Sequence, residues 1–346
     1  MANQLIDMEK HSGAHPRMGA TDVCPLIPVS GVSMKDCIEL SKKLAKRVGE
    51  ELQIPIYLYE ESSNSSYRKN LSDIRKGEYE ELEEKLKEKR WKPDYGPSEM
   101  NKTAGATAIG ARNFLIAYNI NLNTRDKKIA TDIALDIREA GRAKRDKNGK
   151  ILRKKDGSMV KVPGSLKSTK AVGWYIDEYN KAQVSMNLTN YKITSIEKAF
   201  EEVRKQANKR GVRVTGSEIV GLVPKESLLK AGIYYLQKQN RSTAIPDTDI
   251  IDIAIDTLGL NELSEFNQDS SIVENRIKSS NRLIDLEINT FANEVSSESP
   301  APGGGSVSAL AGALAGSLVA MVANLSFGKK EYEKNRHLIE KNGSEA

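Results

Sequence analysis

Two of the chain's three histidines, His11 and His15, fall inside one short stretch, KHSGAHPRMG, residues 10–19. An imidazole changes charge near neutral pH, so such a residue can both accept and return a proton. The spacing would also suit a pair of metal ligands on one helical face. Gly13 lies between the two histidines and Pro16 follows His15, however, which predicts a loop over residues 11–16. No third Cys or His ligand lies near, and His337 sits in a charged tail, so no metal is expected. What stays open is a structural role, for His11 above all, or general acid–base catalysis by His15. The loop runs straight into DVCPLIPV, an apolar strand pattern, and a side chain at a loop-to-strand junction is positioned by a rigid element. Arg17, with its planar fork, is placed to hold a carboxylate beside that histidine.

The elements that must position these groups are legible from periodicity. MKDCIELSKKLAKRVGEEL, residues 34–52, places Cys37, Leu40, Leu44, Val48 and Leu52 at helical spacing behind a Ser33 cap. IPIYLYE then reads as a buried strand and GEYEELEEKLKEKRW as a polar helix. GATAIGARNFLIAYNINLN joins a small-residue loop to a strand, and DKKIATDIALDIREAG is an amphipathic helix stopped by Gly141. AVGWYIDEYNKAQVSMNLTN reads as two strands. TSIEKAFEEVRKQANKRG follows as a helix opened by a capping box of Thr194 and Glu197, and VRVTGSEIVGLVP is a last strand. From residue 114 to 224 the order is β-α-β-β-α-β, the split unit of a ferredoxin-like fold. The strand, helix and strand before it look like the latter part of a similar unit whose opening strand is absent.

Composition bounds what such a chain does. At 346 residues with 38% hydrophobic and 29% charged residues, two or three globular domains are expected, large enough to fold without disulfides. Cys24 and Cys37 are too few for a disulfide framework. The first residues show no basic stretch followed by an apolar run, so a cytoplasmic location is expected. The net charge of +6 is local. Residues 141–170 hold eleven Lys/Arg and two Asp, or +9, so the remainder carries −3. Aromatic residues are sparse in that segment, which argues against a nucleic-acid module. Its ILRKK and SMVKV runs flank an Asp-Gly turn, the signature of a solvated hairpin, with a polyanion-attracting arm as the other reading.

Composition shifts again near Leu286. Ser306 to Phe327 carries no charge for 22 residues, long enough to raise a membrane span. Gly and Ser recur through it and aromatic anchors are nearly absent, so a buried helix of a bundle, close-packed through small residues, is expected, with no membrane partner.

Read in order, IDMEKHSGAHPRMGATDVCPLIPV, YGPSEMNKTAGATAIGARNFLIAYNINL, VGWYIDEYNKAQVSMNL, GSEIVGLVP and SPAPGGGSVSALAGALAGSL resemble glutamate formimidoyltransferase fused to formimidoyltetrahydrofolate cyclodeaminase. The resemblance implies an enzyme that transfers a formimidoyl group between N-formimidoyl-L-glutamate and tetrahydrofolate in histidine breakdown. Tetrahydrofolate enters as a substrate, and no metal is implied. It implies an α+β fold of tandem ferredoxin-like (βαββαβ) subdomains, the first incomplete, followed by the start of an all-α cyclodeaminase bundle. Folate lies between the subdomains, and complete relatives form homodimers. The implied boundaries are 1–114 and 115–277 for the two subdomains, 278–284 for a linker and 285–346 for the cyclodeaminase fragment.

Carried over by position, the catalytic histidine is His15. The folate-contacting segment is Gly96, Pro97, Ser98, Glu99, Met100, Asn101, Lys102, Thr103, Ala104 and Gly105, its small members letting a flat pterin approach the backbone. Arg17, His11 and Glu218 are supporting residues, the last before the VGLVP string. Relatives begin with a further strand–helix–strand portion, so truncation at both ends is expected, and cyclodeaminase activity is expected to be absent. The 141–170 hairpin is longer and more basic than the family implies. A non-catalytic folate-binding fragment of the same family is the alternative.

Overall fold

The computed structural model describes residues 1–13, 16–277 and 283–345, which fall into two compact units, Met1–Phe114 and Leu115–Ala346. In the first unit a short helix α1 (Ala2–Leu5) precedes strand β1 (Val23–Leu26), helix α2 (Met34–Leu52) and strand β2 (Ile56–Leu58). Two short helices, α3 (Leu71–Ile74) and α4 (Leu82–Lys87), lead to strand β3 (Thr107–Ala111). The sheet order is β1-β3-β2, and β3 runs parallel to both neighbours. This departs from the expected βαββαβ pattern, whose paired strands are antiparallel. The α2 crossover returns the chain in its original direction, and β3 then inserts between the two strands it joins.

Strand β3 was hidden inside what reads as a small-residue loop. All five of its residues, Thr-Ala-Ile-Gly-Ala, are buried. A Cβ on Gly110 would stand 2.2 Å from the Tyr59 carbonyl oxygen, so only glycine permits that approach. The same closeness redraws the buried face of α2. Leu40 and Leu52, expected inside, are 57% and 50% exposed, and the buried face is Cys37, Ser41, Ala45 and Gly49. Small residues one turn apart let α2 lie on the sheet, with Leu44 and Val48 at its margin. The Ser33 cap is as expected, its hydroxyl and Asp36 forming a reciprocal capping box. Tyr57, Ile74, Leu82, Leu86, Trp91 and Ala108 pack on the other sheet face.

The polar helix expected over residues 77–91 is only the six residues of α4. Its Lys85 turns inward. The ammonium donates to the carbonyls of Ile74 and Lys76 and stands 4.1 Å from the Trp91 ring centroid.

In the second unit, strands β4 (Ile116–Leu122), β7 (Thr169–Ile176), β8 (Lys181–Leu188) and β9 (Val214–Val220) form an antiparallel sheet in the order β7-β8-β4-β9. Helix α5 (Lys127–Ile137) connects β4 to β7, and α6 (Ile196–Asn208) connects β8 to β9. Tyr118, Ile120, Val184, Met186 and Leu188 are buried with Ile133, Ile137, Phe200 and Val203 of the two helices. The expected capping box at Thr194 does not form. Ser195 is the N-cap, the Thr194 hydroxyl donates to the Lys167 carbonyl, and Ser195 bonds Glu197 instead.

The basic arm between α5 and β7 holds strands β5 (Arg142–Ala143) and β6 (Lys161–Val162), and it carries two hairpins where one was expected. Arg145 pairs with Ile151 around Gly149, and Arg153 with Met159 around the expected Gly157 turn. In each, the arginine donates to the glycine carbonyl four residues on, at 2.6 and 2.9 Å.

Helices α7 (Lys225–Lys238), α8 (Asp247–Leu258), α9 (Gln268–Ser271) and α10 (Val273–Arg276) follow β9. Most of the expected 278–284 linker lies outside the described residues, and Leu283–Asp285 form one 3-10 turn. Helices α11 (Ile288–Val295), α12 (Gly304–Phe327) and α13 (Arg336–Glu345) end the chain. Helix α12 is not the buried helix expected: Ala323 alone of its residues is buried. It is long and apolar enough to cross a membrane by length and composition. A helix apolar on every side needs partners on every side, and α13 covers only part of it.

Burial lowers the Lys85 ammonium to about 8 from the ordinary 10.5. The unfolded chain therefore binds more protons between these values, and this group adds stability as pH rises from about 8 towards 10.5. Chemical denaturation at pH 7.5 and 10 is expected to show that rise in the native chain and a smaller one in Lys85→Met.

Candidate functional site

His15, with Ala14, lies outside the described residues, but both shoulders of its loop are described. On one side His11 is exposed, and its carbonyl accepts from Arg17 Nη2 at 2.7 Å. On the other, Arg17 does hold a carboxylate, and it is one of the chain's own. Its Nη1 and Nη2 meet the Glu80 oxygens at 2.8 and 2.7 Å, and Nη1 also reaches Glu78 at 3.3 Å. The guanidinium is thus engaged internally and not free for a second carboxylate in this arrangement. Glu78 stands at φ +55°, a left-handed conformation rare outside glycine. Asp22 fastens the far end, accepting from the Met18 amide at 2.7 Å and pairing with Arg75.

The end of the 96–105 loop is bound to the segments that flank this one. Met18 accepts the Ala106 amide at 2.9 Å and Ala104 accepts the Ala20 amide at 2.9 Å. Thr103 accepts the Met8 amide at 3.1 Å, and Tyr79 donates to the Lys102 carbonyl at 2.7 Å. Asn101 shapes the turn from within, its side-chain oxygen accepting from the Ala104 amide and its carbonyl from Gly105. Ser98, Glu99, Lys102 and Thr103 are exposed, Pro97 and Met100 are half-buried, and Ala104 and Gly105 are buried.

The glycines have a use in the fold that the sequence reading did not foresee. Gly105, at φ +67°, would drive a Cβ to 2.1 Å from the Met18 carbonyl oxygen, and Gly96, at φ +80°, to 2.3 Å from that of Ile54. Their smallness serves contact between segments of the protein's own backbone.

Glu218 belongs to the second unit. It lies on β9 opposite Asn119 of β4, whose amide nitrogen donates to it at 3.2 Å. Side chains alternate along a strand, so the face away from α5 and α6 collects Asn119, Asn121, Gln183 and Glu218. Trp174 Nε1 donates to Gln183, Gln183 to Asn121, and Asn121 to Glu262, at 2.9, 2.7 and 2.6 Å. Lys181 closes the chain by an ion pair to Glu262 and a bond to Thr215. Burial would raise the Glu262 carboxyl, but Lys181, Thr215 and Asn121 outweigh it and hold the group below the usual carboxylate range. Sequence reading missed Asp22, Glu78, Glu80 and this ladder. Glu262 stands 141 residues from Asn121, and no local spacing announces such a pair. Among the described residues no group of three or more His, Cys, Asp or Glu is placed to hold a metal ion.

Three family descriptions match in succession: "Formiminotransferase domain, N-terminal subdomain" over residues 1–112, "Formiminotransferase domain" over 117–278 and "Formiminotransferase-cyclodeaminase" over 287–346. A glutamate formimidoyltransferase from Thermoplasma acidophilum is 45% identical over 238 residues, which cover 68% of this chain and 71% of that protein. The chain belongs to the formiminotransferase family. Formimidoyltransferase-cyclodeaminases from Dictyostelium discoideum and Mus musculus are 47% and 43% identical over 338 and 335 residues, 96% of this chain. This formiminotransferase chain spans 59% of the length of each of those two relatives. The expectation that its first subdomain lacks opening elements finds no support in the match over residues 1–112.

Glu262→Ala would leave Asn121 and Lys181 without their carboxylate, at a cost of about 1–3 kcal/mol. Urea denaturation should show that loss, and an unchanged midpoint would refute the ladder's role.

Proposed function

We propose that the chain transfers a formimidoyl group between N-formimidoyl-L-glutamate and tetrahydrofolate, with His15 as the general acid–base group and tetrahydrofolate bound as a substrate. The observation that carries this reading is 45% identity to a named glutamate formimidoyltransferase over 238 residues, beside formiminotransferase matches over residues 1–112 and 117–278. In the forward direction an amine adds to the amidine carbon of the formimidoyl group, and the tetrahedral adduct expels the other amine. Neutral His15 takes the proton from the attacking nitrogen and returns it to the leaving one, which serves both directions. The segment Gly96–Gly105 would hold the folate, with exposed Ser98, Lys102 and Thr103 as its polar contacts. Glu218, an acceptor on the polar sheet face of the second unit, stays a proposed supporting residue. Arg17 and His11 act through the loop they close.

The second unit we read as a ferredoxin-like βαββαβ subdomain, a reading supported by its all-antiparallel order β7-β8-β4-β9. Partners are the two substrates and a second copy of the chain, in the cytoplasm. Transfer rather than folate binding alone is favoured, because formiminotransferase matches cover residues 1–112 and 117–278 and a glutamate formimidoyltransferase is 45% identical over 238 residues.

The proposal covers the transferase alone. We keep as a proposal that the chain has no cyclodeaminase turnover, although a formiminotransferase-cyclodeaminase match spans residues 287–346. Ammonia released from 5-formimidoyltetrahydrofolate would overturn that. His15→Ala should fold normally and lose transfer by about two to four powers of ten. Turnover at the native rate in that variant would remove His15 from the mechanism.

A further inference from the structure

We infer that the groove between α5 and the base of the basic arm binds a small polyphosphate. Its volume is about 630 Å³, within the range of small-molecule sites. Arg138, Lys144, Arg145 and Lys161 line it, and none of the four is paired with a carboxylate. Arg142 reaches it too, but Asp132 and Asp136 pair with that side chain at 3.5 and 2.6 Å. Asp132, the one acid among the described lining residues, is thereby spent. The arm's own acids are spent as well. Asp146 accepts the Asn148 and Lys150 amides, each at 2.9 Å, and Asp156 accepts the Ser158 amide at 2.9 Å and its hydroxyl at 2.6 Å. No residue lining the groove belongs to the proposed transfer machinery, so the site stands whether or not that reading does.

Four unmatched charges of one sign around a single concavity repel one another, and the apolar wall of Leu135, Met159 and Val162 focuses their field into it. The backbone beneath them is fixed. Lys144 donates to Val160 at 2.8 Å, Val160 to Leu152 at 2.9 Å, and Leu152 back to Lys144 at 2.8 Å, so the arm closes on itself at eight-residue intervals. At its base Gly141, at φ +62°, lies so near Val162 that a Cβ would stand 1.7 Å from the carbonyl oxygen. Arg138 Nε donates to the Gly141 carbonyl at 3.0 Å, and Arg145 Nη1 to that of Gly149 at 2.6 Å. Those bonds orient the two guanidiniums and leave their charge unmatched.

Charge density then selects the occupant. A carboxylate brings one negative charge, whereas a phosphoryl group brings nearly two with three acceptor oxygens. Linked phosphoryl groups therefore match four cations within a groove of this size. Ammonium and guanidinium groups only donate, which suits an occupant that only accepts. No aromatic side chain occurs in residues 141–170, so a nucleobase finds no surface to stack on, and the phosphates themselves carry the recognition.

Inorganic tripolyphosphate titrated into the full chain, by calorimetry at low and at physiological salt, is expected to bind at one site and to weaken as salt rises. Lys144→Ala with Lys161→Ala should weaken it about tenfold for each lysine removed. Lys154→Ala with Lys155→Ala removes the same charge from the second hairpin, outside the groove, and should leave binding nearly unchanged. In the native chain, amide exchange at Lys144, Leu152 and Val160 should slow with tripolyphosphate bound, a readout that needs no variant. Absence of both binding heat and exchange protection at low salt would overturn the site. Equal losses in the two lysine pairs would also overturn it, by showing attraction to the arm's charge as a whole. Citrate binding as tightly as tripolyphosphate would sink the phosphate assignment.

Discussion

Strand β3 lies between two parallel neighbours with a helix on one face and aromatic side chains on the other, and apart from Ile109 it carries only small side chains, so both layers close in on its backbone. Everything nearby conforms to that constraint. The buried face of α2 is cysteine, serine, alanine and glycine, and its leucines are displaced to the margin. Gly110 admits the Tyr59 carbonyl, and Gly105 admits that of Met18. Because Met18 and Gly105 meet backbone to backbone, the histidine loop and the 96–105 loop arrive side by side at the start of the sheet. Their juxtaposition is a by-product of packing a sheet of small residues. A single added methyl at Gly105 would act on both loops together.

Charged side chains of the first unit spend their bonds on backbone and on one another. Arg17 ties down the carbonyl of His11, Lys85 two carbonyls at the end of α3, and Arg68 the carbonyl of Lys92 with the carboxylate of Asp94. Asp94 in turn accepts the amide of Leu58 at 2.8 Å, so the outer edge of β2 is covered by this side chain beyond the Ile56–Tyr95 bridge. Buried groups of this kind must be partnered or they destabilise, which makes each a fixed point of the backbone. The loops that carry the proposed chemistry hang from three such points, at Arg17, Asp22 and Asn101.

The second unit solves a different problem. One face of its antiparallel sheet is apolar under α5 and α6, and the other carries a connected polar ladder from Trp174 to Glu262. Alternation along each strand separates the two faces, and cross-strand register then lines up Asn119 with Glu218 and Asn121 with Gln183. A one-residue slip would exchange the faces, so burial under the helices fixes the ladder as firmly as its own hydrogen bonds do.

Periodicity in the sequence was enough for α2, α5, α6 and the four strands of the second unit, because each repeats an apolar pattern that its own geometry demands. Gly13 and Pro16 were enough to expect a loop between the histidines, and of that stretch residues 11–13 and 16 are described and are not helical. The strings around HPRMG and MNKTAG were enough to place the chain in its family. What local pattern could not reveal was β3, whose two alanines and glycine mask the strand preference of Thr107 and Ile109 and whose burial is specified by the neighbours that enclose it. Nor could it reveal the true buried face of α2, the inward turn of Lys85 or the second hairpin of the basic arm. Above all, the partners of Arg17 lie more than 60 residues away. Sequence supplied an arginine able to hold a carboxylate; only folding decided that the carboxylates were Glu78 and Glu80, because pairing across that distance depends on where the sheet brings the chain back.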